Sequence, residues 1–592
     1  MKIYSAPLKL VTAALLGIWG EVVHGHGVNT LRQKATATAL PPRSLRRRNA
    51  LAFRDIAANT TVADPSFDKR EQNAPAITTA TSRHLQNVWV KVGADIDGEA
   101  TGDNFGWQVA LSNDGTIVAI GAPLNGGNGA YSGHVRVLQL VEGSWERMGE
   151  DIYGEAACDE SGYGLDLSAD GSIVAIGAPL NEANDSYSGH VRIYKYDGSS
   201  WNILGGDLDG EGANDYGDYS GQSLSLSADG FIVAIGTKWN DGDSGFDNGH
   251  VRVYEYDGSS CWIQLGGDVD GEGECDDSGT SVSLSADGSI VAIGAPLNDG
   301  NGEWSGHVRI YKFDGTSSWD QVGGDLDGEA ANDNSGVSID LSSDGSIVVI
   351  GAWGNDANGR EGSGHARIYK YDGTSWNQAG GDLDGEAAGD GFGASIDLSD
   401  DGSIVAIGAP RNDTNKSGHV RIYKYDGTSW NKVGGDLNGE AANDGFGTSV
   451  SLSGDGSIVA IGGRYNDSVN GVNSGHVRIY KFDGTASWDR VGGDLDGENA
   501  YDNFGTSIDL SSDGTIVAVG APLNDANGFC SGHVRVFERP PDPTVSPTNA
   551  PTIIPSAEPS TSPSAAPSTS PSSVSSTSPS DQPTKLPSYR LR

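Results

Sequence analysis

The sequence predicts an all-β chain, folded over most of its length as a β-propeller, and three observations carry that prediction. The string GH[V/A]R occurs eight times, its histidine at 134, 190, 250, 307, 365, 419, 476 and 533, a mean period of 57 residues. A tryptophan also recurs eight times, at 89, 145, 201, 262, 319, 376, 430 and 488. Between these markers, short apolar strands alternate with Asp-Gly turns, and no segment has helical periodicity of useful length. A fixed period of this size means a solenoid, a propeller or a tandem array. Four antiparallel strands per unit, joined by tight turns, select the propeller.

The unit beginning near Phe446 shows each element in order. In TSVSLS, Val450 and Leu452 alternate with serines, the two-residue period of a half-buried strand. Asp455-Gly456 follows as a tight hairpin turn, because glycine accepts positive φ without steric cost. The next run, IVAIG, is continuously apolar, as expected of a strand covered on both faces. The polar loop RYNDSVNGVNS leads to GHVRIYKF, with Val477 and Ile479 on one face and Arg478 and Tyr480 on the other. A second turn, Asp483-Gly484, leads to the fourth strand, SWDRVGGDL. The array opens with an isolated fourth strand, Trp89–Ile96, and ends after a third strand, Gly532–Glu538. The N-terminal strand can therefore complete the last blade and leave no open edge. Eight blades is the direct count; seven with one displaced unit is the alternative.

Composition narrows the function. Among 592 residues, 80 are acidic and 38 basic, a net charge of −42 that argues against nucleic acid or an anionic membrane as partner. Divalent cations and basic partners remain electrostatically suited. Residues 1–27 read as a secretory signal, with Lys2 and Lys9 before the run LVTAALLGIWG; an uncleaved anchor is the alternative. No other stretch reaches the length of a membrane span. Residues 28–86 form an irregular, basic leader, or a propeptide cut at RSLRRR or Lys69-Arg70. The propeller occupies 87–539. Residues 540–592, rich in Pro, Ser and Thr, read as a disordered, O-glycosylated stalk with no apolar tail for a lipid anchor. Sequons at Asn59, Asn184, Asn412, Asn415 and Asn466 fit a secreted or wall-associated glycoprotein. The four cysteines, 158, 261, 275 and 530, have neither CxxC spacing nor a shared repeat position, and their pairing stays open.

The start of each unit resembles the FG-GAP repeat, the blade motif of integrin α-chain propellers and of many secreted microbial and algal proteins. FG stands at Phe105-Gly106, Phe392-Gly393, Phe446-Gly447 and Phe504-Gly505, with SG at Ser278-Gly279 and Ser335-Gly336. GAP begins at Gly121, Gly177, Gly294, Gly408 and Gly520, with the variants GTK at Gly236, GAW at Gly351 and GGR at Gly462. The resemblance implies a propeller over residues 88–539. Together with the stalk, the repeats are similar to wall-associated proteins of diatom-like algae. Integrin-type blades hold calcium in a D-x-D-x-D-G-x-x-D loop between the first two strands. Here that connection is only Ser-x-Asp-Gly, too short to wrap a cation with six or more oxygens, so that site is not carried over.

The acidity is concentrated between the fourth strand and the next blade. Asp325, Asp327, Glu329 and Asp333; Asp382, Asp384, Glu386 and Asp390; and Asp494, Asp496, Glu498 and Asp502 offer oxygens at i, i+2, i+4 and i+8 that can hold calcium. The alternative is turn chemistry plus a solvated acidic rim. The eight histidines read as strand caps, each holding a backbone or neighbouring-blade hydrogen bond, and the tryptophans as packing between blades. Off-pattern residues mark the candidate binding positions: Trp239 with Asp241 and Asp243, Trp304, Trp353, Arg360, and Arg464 with Tyr465. The function expected is extracellular binding or adhesion, with variable loops presented to a protein or polysaccharide. A propeller hydrolase or lyase on polysaccharide and a structural wall protein are the rivals.

Overall fold

The computed structural model describes residues 88–539, apart from 183, 185–186, 212–216, 243–244 and 412–416. The signal, leader and stalk, together with Asn59, Asp243, Asn412 and Asn415, lie outside the described residues. Eight antiparallel sheets surround a central channel, which settles the blade count at eight. The innermost strands are Gln108–Leu111, Gly164–Leu167, Ser223–Leu226, Ser281–Leu284, Ser338–Leu341, Ser395–Leu398, Phe446–Leu452 and Ser507–Leu510. Each is followed outward by a six-residue second strand, such as Ile458–Gly463, and by a third strand that starts at the repeated histidine, such as His476–Phe482.

The outer strand is two short pieces rather than one. In the blade that starts at Phe446 these are Trp488–Arg490 and Leu495–Asp496, both paired with His476–Phe482, and Gly492-Gly493 interrupts them. Gly492 has a φ of +81°, which bends the strand out of the ladder. The last blade closes as expected. Val90–Lys91 and Ile96–Asp97 pair with His533–Glu538, with Val90 opposite Glu538 and Ile96 opposite Val534.

The serines of the inner strands are buried, not half-exposed as their alternation predicts. Ser449 and Ser451 are both wholly enclosed because each inner strand is sandwiched by its neighbours. Ser449 Oγ donates to the Gly505 carbonyl of the next blade at 2.8 Å, and Ser451 Oγ accepts the Leu510 amide at 3.1 Å. The apolar face is just as well covered. Ile404, Ala406 and Ile422 of one blade pack in one cluster with Val450, Val459 and Trp488 of the next.

The glycines of FG and GAP meet across every blade boundary. A Cβ on Gly121 would stand 2.3 Å from the carbonyl oxygen of Gly162, and one on Gly520 would stand 2.2 Å from that of Gly106, where the ring closes. Real Cβ contacts are never so short, so only glycine lets the two backbones touch. At the opposite end of the inner strands a closed circle of backbone hydrogen bonds runs around the channel. Asn113, Ala169, Ala228, Ala286, Ser343, Asp400, Gly454 and Ser512 each donate N–H to the carbonyl of the next, and Ser512 donates to Asn113, all at 2.8–2.9 Å.

Gly520→Ala is therefore expected to destabilise the protein by about 3 kcal/mol, since the new methyl collides with backbone on a neighbouring blade. Gly435→Ala, where a Cβ meets nothing within 4 Å, is the matched control and should stay within about 0.5 kcal/mol of the parent. Urea unfolding of both variants checks this, and equal effects would contradict the close-contact account.

Candidate functional site

Antiparallel blades give the ring two unlike faces. One carries the two tight turns of every blade; the other carries the second-to-third-strand loops and the connections between blades. The turn face is uniform. In the first turn Ser511 Oγ donates to Asp513, which also accepts the Thr515 amide at 2.9 Å, and the Ile516 amide donates back to Ser511 Oγ at 2.9 Å. Equivalent bonds recur at Ser112 with Asp114 and at Ser453 with Asp455. The one carboxylate of this turn is thus engaged by its own neighbours, and the turn does not fit the calcium loop of integrin-type blades.

The loop face is held by the arginine of GH[V/A]R. Arg136 donates to Glu99 in the connection before its blade at 2.6 Å and to Asp151 in its own outer strand at 2.7 Å. Arg192 joins Glu155 to Asp207, Arg252 joins Glu211 to Asp268, Arg421 joins Glu386 to Asp436, and Arg478 joins Glu440 to Asp494. Arg309, Arg367 and Arg535 reach Glu272, Glu329 and Glu498 at 3.6, 4.0 and 3.7 Å. Each guanidinium therefore clamps one blade to the loop of the blade before it.

This divides the predicted calcium oxygens among separate partners. Asp325 and Asp382 accept from Gln321 and Gln378 at 2.7 Å, while Asp494 pairs with Arg478 and Arg490. Glu329, Glu386 and Glu498 pair with the arginine of the following blade. Asp333, Asp390 and Asp502 are buried and cap their own loops. Asp333 accepts the amides of Glu329 and Ala330 and the Asn355 side chain, each at 2.9 Å. Asp384 accepts from Asn358 at 2.9 Å, while Asp327 and Asp496 close the outer strand opposite His307 and His476.

A different grouping brings metal-binding donors together. Glu99, His134 and Asp151; Glu155, His190 and Asp207; Glu211, His250 and Asp268; Glu272, His307 and Asp325; and Glu440, His476 and Asp494 each place their ligand atoms within 4.8 Å of one another. These donor sets can hold a metal ion. In all five, the motif arginine already pairs with the glutamate, so a metal there would compete with a guanidinium for that ligand.

In seven of the eight motif histidines, all but His190, Nε2 has no hydrogen-bond partner, so it caps no strand. His419 is 1% exposed, its Nε2 has no hydrogen-bond partner, and its ring packs on Phe392 with centroids 6.1 Å apart. His476 and His533 pack edge-on against Phe446 and Phe504. The tryptophans do pack between blades: Trp430 joins a cluster with Ile368 and Leu383 of the preceding blade. Asn466 is 3% exposed, and its backbone carbonyl accepts from the Gly475 amide within its loop. Asn184 is exposed, and its amide donates to the Gly210 carbonyl at 2.8 Å. The four cysteines are free; Cys158 and Cys275 do share a repeat position, a left-handed residue before a buried Asp.

Within the channel, Asp166, Asp340, Asp397 and Asp509 accept the amides of Leu226, Leu398, Leu452 and Leu111 of the following blades at 2.6–3.0 Å. Burial and the adjacent Asp340 push the Asp397 carboxyl well above the usual carboxylate range. These carboxylates escaped the sequence reading because they occupy the alternating serine position of the strand.

The asymmetric chemistry lies where the chain leaves the second strand on the loop face. Four blades have Pro-Leu there: Pro123-Leu124, Pro179-Leu180, Pro296-Leu297 and Pro522-Leu523. The others have Lys238-Trp239, Trp353-Gly354, Pro410-Arg411 and Arg464-Tyr465. The Lys238 ammonium lies 4.7 Å from the Trp239 ring, and Tyr219 meets that ring edge-on at 4.7 Å. Burial pushes Lys238 down and holds Asp277 up at about 7, with Lys238 and the Trp239 indole N–H opposing the rise at Asp277. Burial likewise holds Glu160 at about 7. On the other arc, Arg411 lies 6.0 Å from the Trp353 ring and Arg464 lies 4.6 Å from the Tyr465 ring. Trp304 and Arg360 stand exposed on their own loops. Lys238 and Arg411 were not among the predicted positions, though aligning the units in register would have exposed both.

The FG-GAP repeat family matches residues 95–138, 438–480 and 496–537. The chain is an FG-GAP β-propeller protein. No curated protein matches it. The FG-GAP fold points to a protein-binding or adhesion-type role, and no helix among the described residues is long and apolar enough to cross a membrane.

The buried histidines make the stability of this propeller depend on pH. Burial lowers all eight, to about 4 for His134, His307, His365, His419 and His533, and to about 3 for His250 and His476, where Arg252 and Arg478 add to it. An unfolded histidine titrates near ~6.5, so the stability these groups contribute is complete above that pH and is lost as pH falls through about 4. Ring-resonance titration should find the seven other than His190 neutral at pH 5, with unfolding in urea easing across that window. A motif histidine with a midpoint near ~6.5 in the folded protein would overturn the assignment.

Proposed function

We propose that the protein is an extracellular binding or adhesion propeller that presents its loop face to a protein or polysaccharide partner. The observation that carries this reading is the confinement of sequence variation to one face. The Ser-x-Asp-Gly turns repeat with little change, whereas Lys238, Trp239, Trp353, Arg411, Arg464 and Tyr465 replace Pro-Leu on the opposite face. Loops on a rigid scaffold are where recognition residues are placed. Charged and aromatic side chains held by packing are preorganised to bind with little entropy loss. Secretion, attachment through the 540–592 stalk and glycosylation at Asn184 complete the proposal.

Calcium enters the proposal only through the Glu–His–Asp groups, as a competitor of the motif arginine. The hydrolase or lyase reading draws on Glu160 and Asp277, whose carboxyls burial raises to about 7, close to the working pH of a general acid or base.

A screen of the full chain against immobilised glycans and matrix proteins tests the binding role, with reducing-end release as a second readout. Binding of one partner class without release is expected, and Trp353→Ala or Tyr465→Ala should weaken it about tenfold or more, since aromatic anchors dominate interfaces. Catalytic release would favour the enzyme. Binding that survives changes on the loop face but fails on changes to the Ser-x-Asp-Gly turns would place the interface on the wrong side.

A further inference from the structure

The inner strands carry a device that the loop-face role does not use. Each inner strand ends in a leucine. The residue before that leucine is alanine in one blade, serine in three and aspartate in four. In seven blades it accepts the final leucine amide of the next blade, as Ser283 does from Leu341 at 3.3 Å and Asp397 from Leu452 at 2.6 Å. Around the ring, aspartate follows aspartate at one boundary, Asp340 to Asp397, whereas Asp166 and Asp509 have Ala110 or a serine on both sides.

A serine beside an aspartate brings its own proton: Ser283 Oγ donates to Asp340 Oδ1 at 3.4 Å while accepting the Leu341 amide. Between Asp340 and Asp397 there is no hydroxyl. The Leu398 amide lies 3.0 Å from Asp340 Oδ2 and 3.0 Å from Asp397 Oδ1, so one N–H faces two carboxyl oxygens. The two carboxyls also hydrogen-bond to each other, which needs a proton on one of them. Asp397 is 2% exposed, and the strands behind the pair, Ile347–Ala352 and Ile404–Ala409, carry no polar side chain. The charges that face it are all of one sign. The channel here is a cavity of about 230 Å³, lined among the described residues by Asp166, Asp340, Asp397, Asp400 and Asp509 and by no lysine, arginine or histidine. Burial first, then Asp340 and Asp509, oppose charge on Asp397, against the one bond from the Leu452 amide.

We propose that Asp340 and Asp397 share one proton, and that this proton latches the boundary between their blades, held in acid and neutral surroundings and lost as pH rises. With the proton in place, one carboxyl donates to the other and both still accept a leucine amide of the following blade. Without it, two carboxylates face each other in a cavity that holds no counter-charge. In the unfolded chain each aspartate ionises near ~3.9. The folded pair keeps its proton above that, so its contribution to stability is complete below about 4 and is lost as pH rises through the range where the pair ionises. This is opposite in sign to the histidine contribution, which is lost as pH falls.

Two readouts on the full chain test this. At pH 7 the infrared spectrum should contain a protonated-carboxyl C=O band that Asp397→Asn removes. Glu160 and Asp277, held near 7, are present in both proteins and cancel in the difference. From pH 5 to pH 8, urea unfolding should show the folding constant of the parent falling about tenfold per pH unit relative to Asp397→Asn, for as long as the pair keeps its proton. The asparagine amide donates to Asp340 at every pH, and its oxygen still accepts from Leu452. Should Asp397→Asn fail to fold, Asp340→Ser, which installs the residue that three other blades carry, should remove the same band and the same slope. A difference spectrum without the band, or parent and variant stabilities that run parallel from pH 5 to pH 8, would overturn the shared proton.

Discussion

The contact between the FG glycine of one blade and the GAP glycine of the blade before it is the constraint on which the rest of this ring depends. With Gly106 against Gly520 and Gly162 against Gly121, two backbones touch with no side chain between them. That proximity lets Ser449 Oγ reach the Gly505 carbonyl and Ser507 Oγ reach the Gly106 carbonyl, each at 2.8 Å. It also brings the inner strands close enough for the eight-membered circle of peptide hydrogen bonds from Asn113 to Ser512. Glycine loses the most conformational freedom on folding, so a chain with 87 of them needs a return in close packing. Here the return is cooperative, because a blade that shifts breaks contacts on both sides.

The acidic composition follows from the same repetition and is mostly spent inside the fold. Six of the third-to-fourth-strand turns fix one Asp each. Asp197, Asp257, Asp314, Asp372, Asp426 and Asp483 accept amides and hydroxyls from the next residues, which hold their carboxyls well below the usual range although they are exposed. Five blade boundaries then set a Glu and an Asp against one arginine, and the other three set a Glu against it. The histidine two residues before that arginine stays neutral because burial and the adjacent guanidinium both oppose its protonation. A metal bound by the Glu–His–Asp groups would have to displace an intramolecular cation at high effective concentration, which raises the threshold for any ion.

Much of this was legible from spacing alone. Eight copies of GH[V/A]R, the Asp-Gly turns and the orphan strand at Trp89 give strand order, blade number and closure, because each is a local signal repeated in register. Burial was less legible. The alternation in TSVSLS reads as one wet face, since nothing in a single strand announces that its serines will face a neighbouring blade. The acidic loops misled for a related reason: Asp325, Asp327, Glu329 and Asp333 are close in sequence but serve different blades. Arg411 was hidden by an intact GAP in its own unit, and it becomes visible only when Trp353 and Tyr465 from the flanking blades are brought beside it.

The ring also explains why the sequence varies more freely on one face than on the other. On the turn side, the circle of peptide bonds crosses every inner strand, so a longer first turn would open two inter-blade hydrogen bonds at once. Asp400 already fills the space above Gly454, where a Cβ would come within 2.3 Å of its carboxylate. On the loop side, the second strand has ended and the glycine contact is complete before residues such as Trp353 and Arg464 begin. Changes there cost no inter-blade bond. Histidine, arginine and tryptophan in the repeated string therefore belong to the scaffold, and variation between blades is left to the two residues at the end of the second strand and to the residue before FG. A propeller built this way can be substituted at those few positions with the blade contacts untouched, so the fold constrains the scaffold and not the chemistry of that face.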